Sequence, residues 1–172
     1  VSWKKPEIGW VKLNVDGSHD GIKSPSAGCG GVLRDASATW LRGFAKKLNP
    51  NYAVHQTELE AILTGLEVAS EMNVKKLIVE SDHDSVVSKV ENGVKPNHRD
   101  YHVVELIRTK QRRFDWEVRF VPVSNKANRV AHRLANDARK LACDDDVCEE
   151  YGDPPANCVQ LLLEDKIGCM SF

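Results

Sequence analysis

TELEAILTGLEVASEMNVKKLIVE, residues 57–80, is where the hydrophobic period of this chain changes. Leu59, Ile62, Leu63, Leu66 and Ala69 recur at three- and four-residue intervals, the spacing that collects apolar side chains on one side of a helix. Thr57 and Glu60 have the offset of a capping box, so the helix is expected to open at Thr57. The stretch closes with KKLIVE, residues 75–80, a short apolar run expected as a buried strand. A helix feeding a buried strand is half of a β-α-β crossover, and the flanking elements decide which sheet it joins.

Upstream the period is two. WVKLNV, residues 10–15, alternates apolar with polar and runs into Asp16-Gly17, a strand meeting a turn. Residues 18–26 are polar and read as a loop. Ala27 to Arg34, glycine-rich but ending in Val32-Leu33, and Thr39 to Leu48 read as two more strands, and short links make the three an antiparallel meander. Downstream, Asp82 to Glu91 reads as a second helix ended by Asn92-Gly93, Tyr101 to Arg113 as a third, and Trp116 to Val121 as a strand. Ala127, Val130, Ala131, Leu134, Ala138 and Leu141 mark a last helix. The order βββ-α-β-α-α-β-α implies an α/β fold: a five-stranded mixed sheet, three antiparallel strands then two parallel, flanked by helices. Residues 1–141 are expected to form this domain, with 1–8 as a lead-in. Residues 142–172, with Asp144-Asp145-Asp146, Glu149-Glu150 and Pro154-Pro155, are expected as an acidic, cysteine-bearing tail partly ordered around residues 159–163.

At 172 residues, 41% hydrophobic and 28% charged, the chain has the composition of one soluble domain rather than a disordered segment. A net charge of -1 supplies no global attraction to nucleic acid, so such binding needs a local basic patch. The five cysteines, Cys29, Cys143, Cys148, Cys158 and Cys169, are odd in number and lack a paired C-x2-C unit. They read as reduced thiols of an intracellular protein, nuclear or cytoplasmic, rather than as a secreted disulfide framework. No apolar run approaches the ~20 residues that span a bilayer, so no membrane partner is expected. The first residue is Val1 rather than Met and no hydrophobic signal core follows. The expectation is a piece of a longer polypeptide, monomeric in this part.

Three carboxylates stand where strands end or helices begin: Asp16 after the first strand, Glu58 at the first helix, and Asp82 after the fourth strand. Alone, each has a structural reading: Asp16 as a turn residue, Glu58 as a complement to the helix dipole, Asp82 as an N-cap. Their order says more. If the first and fourth strands are neighbours, Asp16 and Asp82 lie together, and the first helix can bring Glu58 over them. Three such carboxylates repel one another unless a cation is present. All-oxygen donors suit Mg²⁺ or Mn²⁺ better than zinc.

The segments VDGS, AGCGGVLRD, TELEAILTGLEVA, VESDHDSVV and FVPVSNKANRVAHRLA, in this order and spacing, resemble the plant ribonuclease H-like domain of retroelement and reverse-transcriptase-associated proteins. The lead-in from Trp3 to Asn14 resembles it too, and the likeness runs to about Leu141. The resemblance implies that Asp16, Glu58 and Asp82 hold two Mg²⁺ (or Mn²⁺) ions. It further implies endonucleolytic cleavage of the RNA strand of an RNA–DNA hybrid, leaving 5′-phosphate and 3′-hydroxyl ends. The family's fourth carboxylate, in an Ala-Asp-x-Leu-Ala setting, is replaced here: the sequence reads Ala131-His132-Arg133-Leu134-Ala135. His132 is expected either as a substitute ligand in a slower, Mn²⁺-preferring nuclease or as the mark of a domain that binds nucleic acid or a protein without cutting. Phe120 stands before Val121-Pro122 where many relatives carry His, whereas Asn128 matches the family's Asn near the last acidic position.

A hybrid would be recognised by shape, phosphates and 2′-hydroxyls. Gly17 and Ser18, beside the metals, and Asn128 are candidate contacts. Arg108, Lys110, Arg112 and Arg113 offer a phosphate patch or, equally, a solvated helix face.

Overall fold

The computed structural model describes residues 2–21 and 25–170; the middle of the expected loop, residues 22–24, lies outside the described residues, as do Val1 and residues 171–172. Three strands come first, β1 (Val11–Asp20), β2 (Ser26–Arg34) and β3 (Trp40–Leu48), paired antiparallel as a meander. β1 runs on to Asp20, so the first residues of the expected loop are strand. The β2–β3 turn is held by the Asp35 carboxylate, which accepts from the backbone N–H groups of Ser37 and Thr39.

Then α1 (Val54–Glu71) crosses back and β4 (Lys76–Ser81) pairs parallel with β1. α1 opens three residues before the expected start. Ala53 occupies the capping position and its N–H donates to Gln56 Oε1 at 2.7 Å, while Thr57 lies inside the first turn with its hydroxyl on the Val54 carbonyl. Gln56 stands three residues after Ala53, the offset that Glu60 has from Thr57, so the sequence carried two competing starts. α2 (Asp84–Asn92), α3 (Tyr101–Gln111), β5 (Glu117–Pro122) and α4 (Arg129–Ala138) follow, and β5 pairs parallel with β4.

The sheet has six strands rather than five, in the order β5-β4-β1-β2-β3-β6. The additional strand, β6 (Cys148–Tyr151), comes from the segment expected as an acidic tail and pairs antiparallel with β3. Its CEEY sequence is short and polar, with no alternation to announce a strand. Past it, α5 (Val159–Gly168) returns to the sheet, where Cys158, Leu161 and Leu162 pack with Val32, Val130 and Leu134. This segment therefore shares the fold's packing and hydrogen bonding.

One sheet face is covered by α1, α2 and α3 over Leu13, Val15, Leu77 and Val79. The other carries α4 and α5. There α4 lies against β2 closely enough that a Cβ on Gly30 would sit 2.7 Å from the Ala135 nitrogen. The glycine-rich strand thus serves helix–sheet packing. Beneath α4 and α5 runs a buried polar network. Asn14 Oδ1 accepts from Trp3 Nε1 and from Arg34, and its amide donates to Glu80 and Asn128. Arg34 stacks 3.8 Å from the Trp3 ring centroid and pairs with Asp165 of α5 at 2.7 Å. No described helix is long and apolar enough to cross a membrane.

Candidate active site

The β1/β4 ladder ends at the pair Asn14–Glu80. Continuing each strand by two residues reaches Asp16 and Asp82, so parallel pairing brings the two carboxylates together at the carboxyl end of the sheet centre. The first turns of α1 pass over Gly17, which has no side chain to hold them off. A Cβ there would lie 2.2 Å from Thr57 Oγ1 and 2.7 Å from the Glu58 nitrogen. Closeness lets the Gly17 N–H donate to Glu58 Oε2 at 2.9 Å and also to Asp16 Oδ1 at 3.0 Å. Gly17→Ala is expected to cost about 1–3 kcal/mol of stability, because the obstructing atoms are largely backbone and must shift. The same variant pushes Glu58 away from Asp16; a urea midpoint equal to that of the parent would contradict this account.

Asp16 and Glu58 are 2% and 1% exposed, so two carboxylates meet with almost no water to separate their charge. Burial first and then the Asp16 charge push the Glu58 pKa up to about 10. A proton on Glu58 can bridge the pair, and a divalent cation between them satisfies both ionised groups. One ligand atom each from Asp16, Glu58, Asp82 and His83 lies within 4.8 Å of the others. These residues fit a hard divalent cation: three carboxylates, two of them buried, with the Gly17 N–H donating to both buried ones.

His83 was not among the sequence candidates. Its Nδ1 lies 3.0 Å from Asp82 Oδ1 and 3.4 Å from Glu58 Oε1, and the Asp82 contact raises its pKa. Asp82 was open to an N-cap reading, but α2 begins at Asp84 with His83 in the capping position. Adjacency to Asp82 was the only signal available.

His132 is not one of those four but touches the group through Asp16. Its Nδ1 is 2.9 Å from Asp16 Oδ2, and its Nε2 faces the Asn136 amide nitrogen at 3.1 Å. The Asp16 hydrogen bond is the main cause of its raised pKa. In this arrangement the ring holds Asp16 in place with both nitrogens occupied.

The site opens into a cleft of about 830 Å³ lined by Gly17, Ser18, Arg129, Arg133, His132, Asn136 and Arg139 among others. Gly17 and Ser18 are thus on the cleft wall. Ser18 is held by Asn136 and Arg139, each at 2.7 Å. Asn128 is not at the cleft surface: it is 1% exposed, donates to the Val15 carbonyl and accepts from Asn14, so its amide ties α4 to β1. Arg108, Lys110, Arg112 and Arg113 belong to α3 and its exit and do not line the cleft. Arg108 caps the end of α2 through the Val90 and Glu91 carbonyls, and Arg113 pairs with Asp115. The cleft's cations are instead Arg129, Arg133 and Arg139, which α4 and its exit supply. In the sequence they look like ordinary charged positions of an amphipathic helix.

A mixed sheet of this order, helices on both faces and acidic side chains gathered where the first and fourth strands part define a ribonuclease H-like domain. The chain belongs to that family: residues 14–138 match the family described as reverse transcriptase-like. An Arabidopsis thaliana protein with a provisional ribonuclease H name is 34% identical over 169 residues, 98% of this chain and 26% of that protein. The chain thus spans about a quarter of that relative's length. Among solved structures, the N-terminal ribonuclease H domain of a Mycobacterium tuberculosis protein is similar with a TM-score of 0.67 and 24% identity, over 76% of this chain and 94% of the other. A ribonuclease H1 from compost, crystallised with an RNA/DNA hybrid, has a TM-score of 0.67 and 18% identity, over 76% and 96% of the two chains. At these identities the structures establish the fold.

Proposed function

We propose that the domain hydrolyses the RNA strand of RNA–DNA hybrids, using divalent cations held by Asp16, Glu58 and Asp82. The observation carrying this reading is the convergence of three carboxylates from separate elements at the floor of an open, arginine-bearing cleft. When bound, Mg²⁺ or Mn²⁺ would activate water and neutralise charge on the cleaved phosphate, with two ions as the full complement. The chain's own residues do the rest. Gly17 fixes Glu58 through its N–H and lets α1 pass close enough to bring that carboxylate to Asp16. Arg133 and Arg139 provide cations for phosphates along the cleft wall. His132 orients Asp16. The partner is an RNA–DNA hybrid, and the domain works as one part of a longer protein.

A second reading is favoured by one contact. His132 replaces a carboxylate with a neutral or cationic ring already bonded to Asp16. If that bond persists under substrate, the second ion lacks its ligand and the domain binds hybrids without cutting them. The deciding experiment is cleavage of an end-labelled hybrid in Mg²⁺ and then Mn²⁺, beside His132→Asp. The nuclease reading expects metal-dependent cleavage by the parent and roughly tenfold or more from His132→Asp, since a carboxylate is the better Mg²⁺ ligand. An inert parent rescued by His132→Asp identifies a catalyst disabled at one position. If neither protein cuts, the binding-domain reading replaces this one.

A further inference from the structure

We propose that His83 is a direct metal ligand through Nδ1, making this a mixed oxygen–nitrogen site that selects Mn²⁺ over Mg²⁺. The inference rests on the metal centre proposed above and names a fourth donor in it. An octahedral ion with bonds of ~2.1 Å sets neighbouring ligands about 3.0 Å apart and opposite ones about 4.2 Å apart. His83 Nδ1 is 3.0 Å from Asp82 Oδ1 and 3.4 Å from Glu58 Oε1, close to two edges of such an octahedron. The limit of 4.8 Å over all four donors permits one ion to touch every one of them after small adjustments.

The side chains differ in depth. Glu58 and Asp82 are 1% and 10% exposed at the side chain, whereas His83 is 39% exposed. Its ring is therefore the most solvent-facing of the four and can pivot without disturbing the core. Ligation requires the Nδ1 lone pair, so the imidazole must be neutral with its proton on Nε2. Any proton on Nδ1 is released to solvent as the ion takes its place. His132 is more exposed still, 62% at the side chain, but Asp16 and Asn136 engage both of its nitrogens and it stands outside the group of four.

Selectivity follows from the donor. Mg²⁺ favours oxygen and gains little from imidazole, whereas transition-metal ions accept nitrogen readily. His83 thereby supplies a fourth donor to a site that has lost its fourth carboxylate, at the cost of Mg²⁺ preference.

The test is Mn²⁺ titration of the parent, His83→Ser, His132→Ala and Asp16→Asn, followed by pulsed electron paramagnetic resonance for nitrogen bound to Mn²⁺. A competing Mg²⁺ titration and the metal-free melting temperature are recorded on the same samples. The expected result is a nitrogen coupling in the parent and in His132→Ala that is missing from His83→Ser. The Mn²⁺ Kd should rise about tenfold or more in His83→Ser while the Mg²⁺ Kd moves less than about twofold, with metal-free melting unchanged. A coupling that survives in His83→Ser and vanishes in His132→Ala overturns the proposal and assigns the nitrogen to His132. Mn²⁺ binding that depends on Asp16 but shows no nitrogen also overturns it and leaves the metal centre standing as an oxygen-only site. Absence of Asp16-dependent Mn²⁺ binding in the parent removes the metal centre itself, and His83 as its ligand with it.

Discussion

Asp16→Asn is expected to reduce hybrid cleavage by roughly 10³-fold or more, because it removes charge where the cation and the developing phosphate charge need it. The substitution keeps the shape of a side chain that is 2% exposed and bonded to Gly17 and His132, so the fold should survive. It should also erase the rise in melting temperature that Mg²⁺ or Mn²⁺ gives by binding the native state. Glu58 adds a pH signature. Its folded pKa near 10 lies above the ordinary value of 4.5, so the native state holds a proton that the unfolded chain has lost. Stability of the metal-free protein therefore falls as pH rises through that window. Glu58→Gln should flatten the slope, and saturating Mg²⁺ should flatten it too by stabilising the ionised carboxylates. Melting curves at about pH 5 and about pH 9, with and without Mg²⁺, check this. Full cleavage by Asp16→Asn would remove the site from the chemistry altogether.

The largest stability effect is expected from the Arg34–Asp165 pair. Their side chains are 1% and 2% exposed and meet at 2.7 Å, with burial working to lower the Arg34 pKa against the Asp165 charge. Among the described residues, Arg34 Nε already lacks a hydrogen-bond partner. Asp165→Ala strands the guanidinium without its counter-charge, at a cost of about 3–5 kcal/mol. Replacing both partners by apolar groups, Arg34→Met with Asp165→Leu, should restore most of that loss, because no buried charge remains. Urea unfolding of Asp165→Ala and of the double variant measures the difference. A single variant within about 1 kcal/mol of the parent would show that α5 is not anchored here. Asp165→Ala also removes the weaker of the two carboxylates on Arg129, the 3.4 Å contact, and leaves Glu164 at 2.7 Å, so α5 also restrains one of the cleft cations.

The interior elements were legible because hydrophobic period is a local property. The meander, the crossover helix and KKLIVE each carry their own pattern, and they fall where the pattern places them. Asp16, Glu58 and Asp82 were legible through their order along the chain, since parallel pairing of the first and fourth strands was the one arrangement needed to unite them. The start of α1 was misjudged because Ala53/Gln56 and Thr57/Glu60 share one offset, and only the fit of α1 over Gly17 chooses between them.

What tertiary structure alone decided is the identity of partners distant in sequence. The polar CEEY strand gains its place from β3, and Asp165 gains its importance from an arginine 131 residues earlier. In the sequence His132 stood out at the position of the family's fourth carboxylate, whereas His83, between Asp82 and Asp84, was passed over. Folding sends His83 into the carboxylate cluster and gives His132 to Asp16 and Asn136. Asn128 and the α3 arginines were offered to nucleic acid by their chemistry, yet Asn128 binds Asn14 and the Val15 carbonyl while Arg108 and Arg113 bind neighbouring helix ends and side chains. A polar group's function depends on which other groups its fold brings within hydrogen-bond distance, and sequence spacing fixes that only inside one helix or strand.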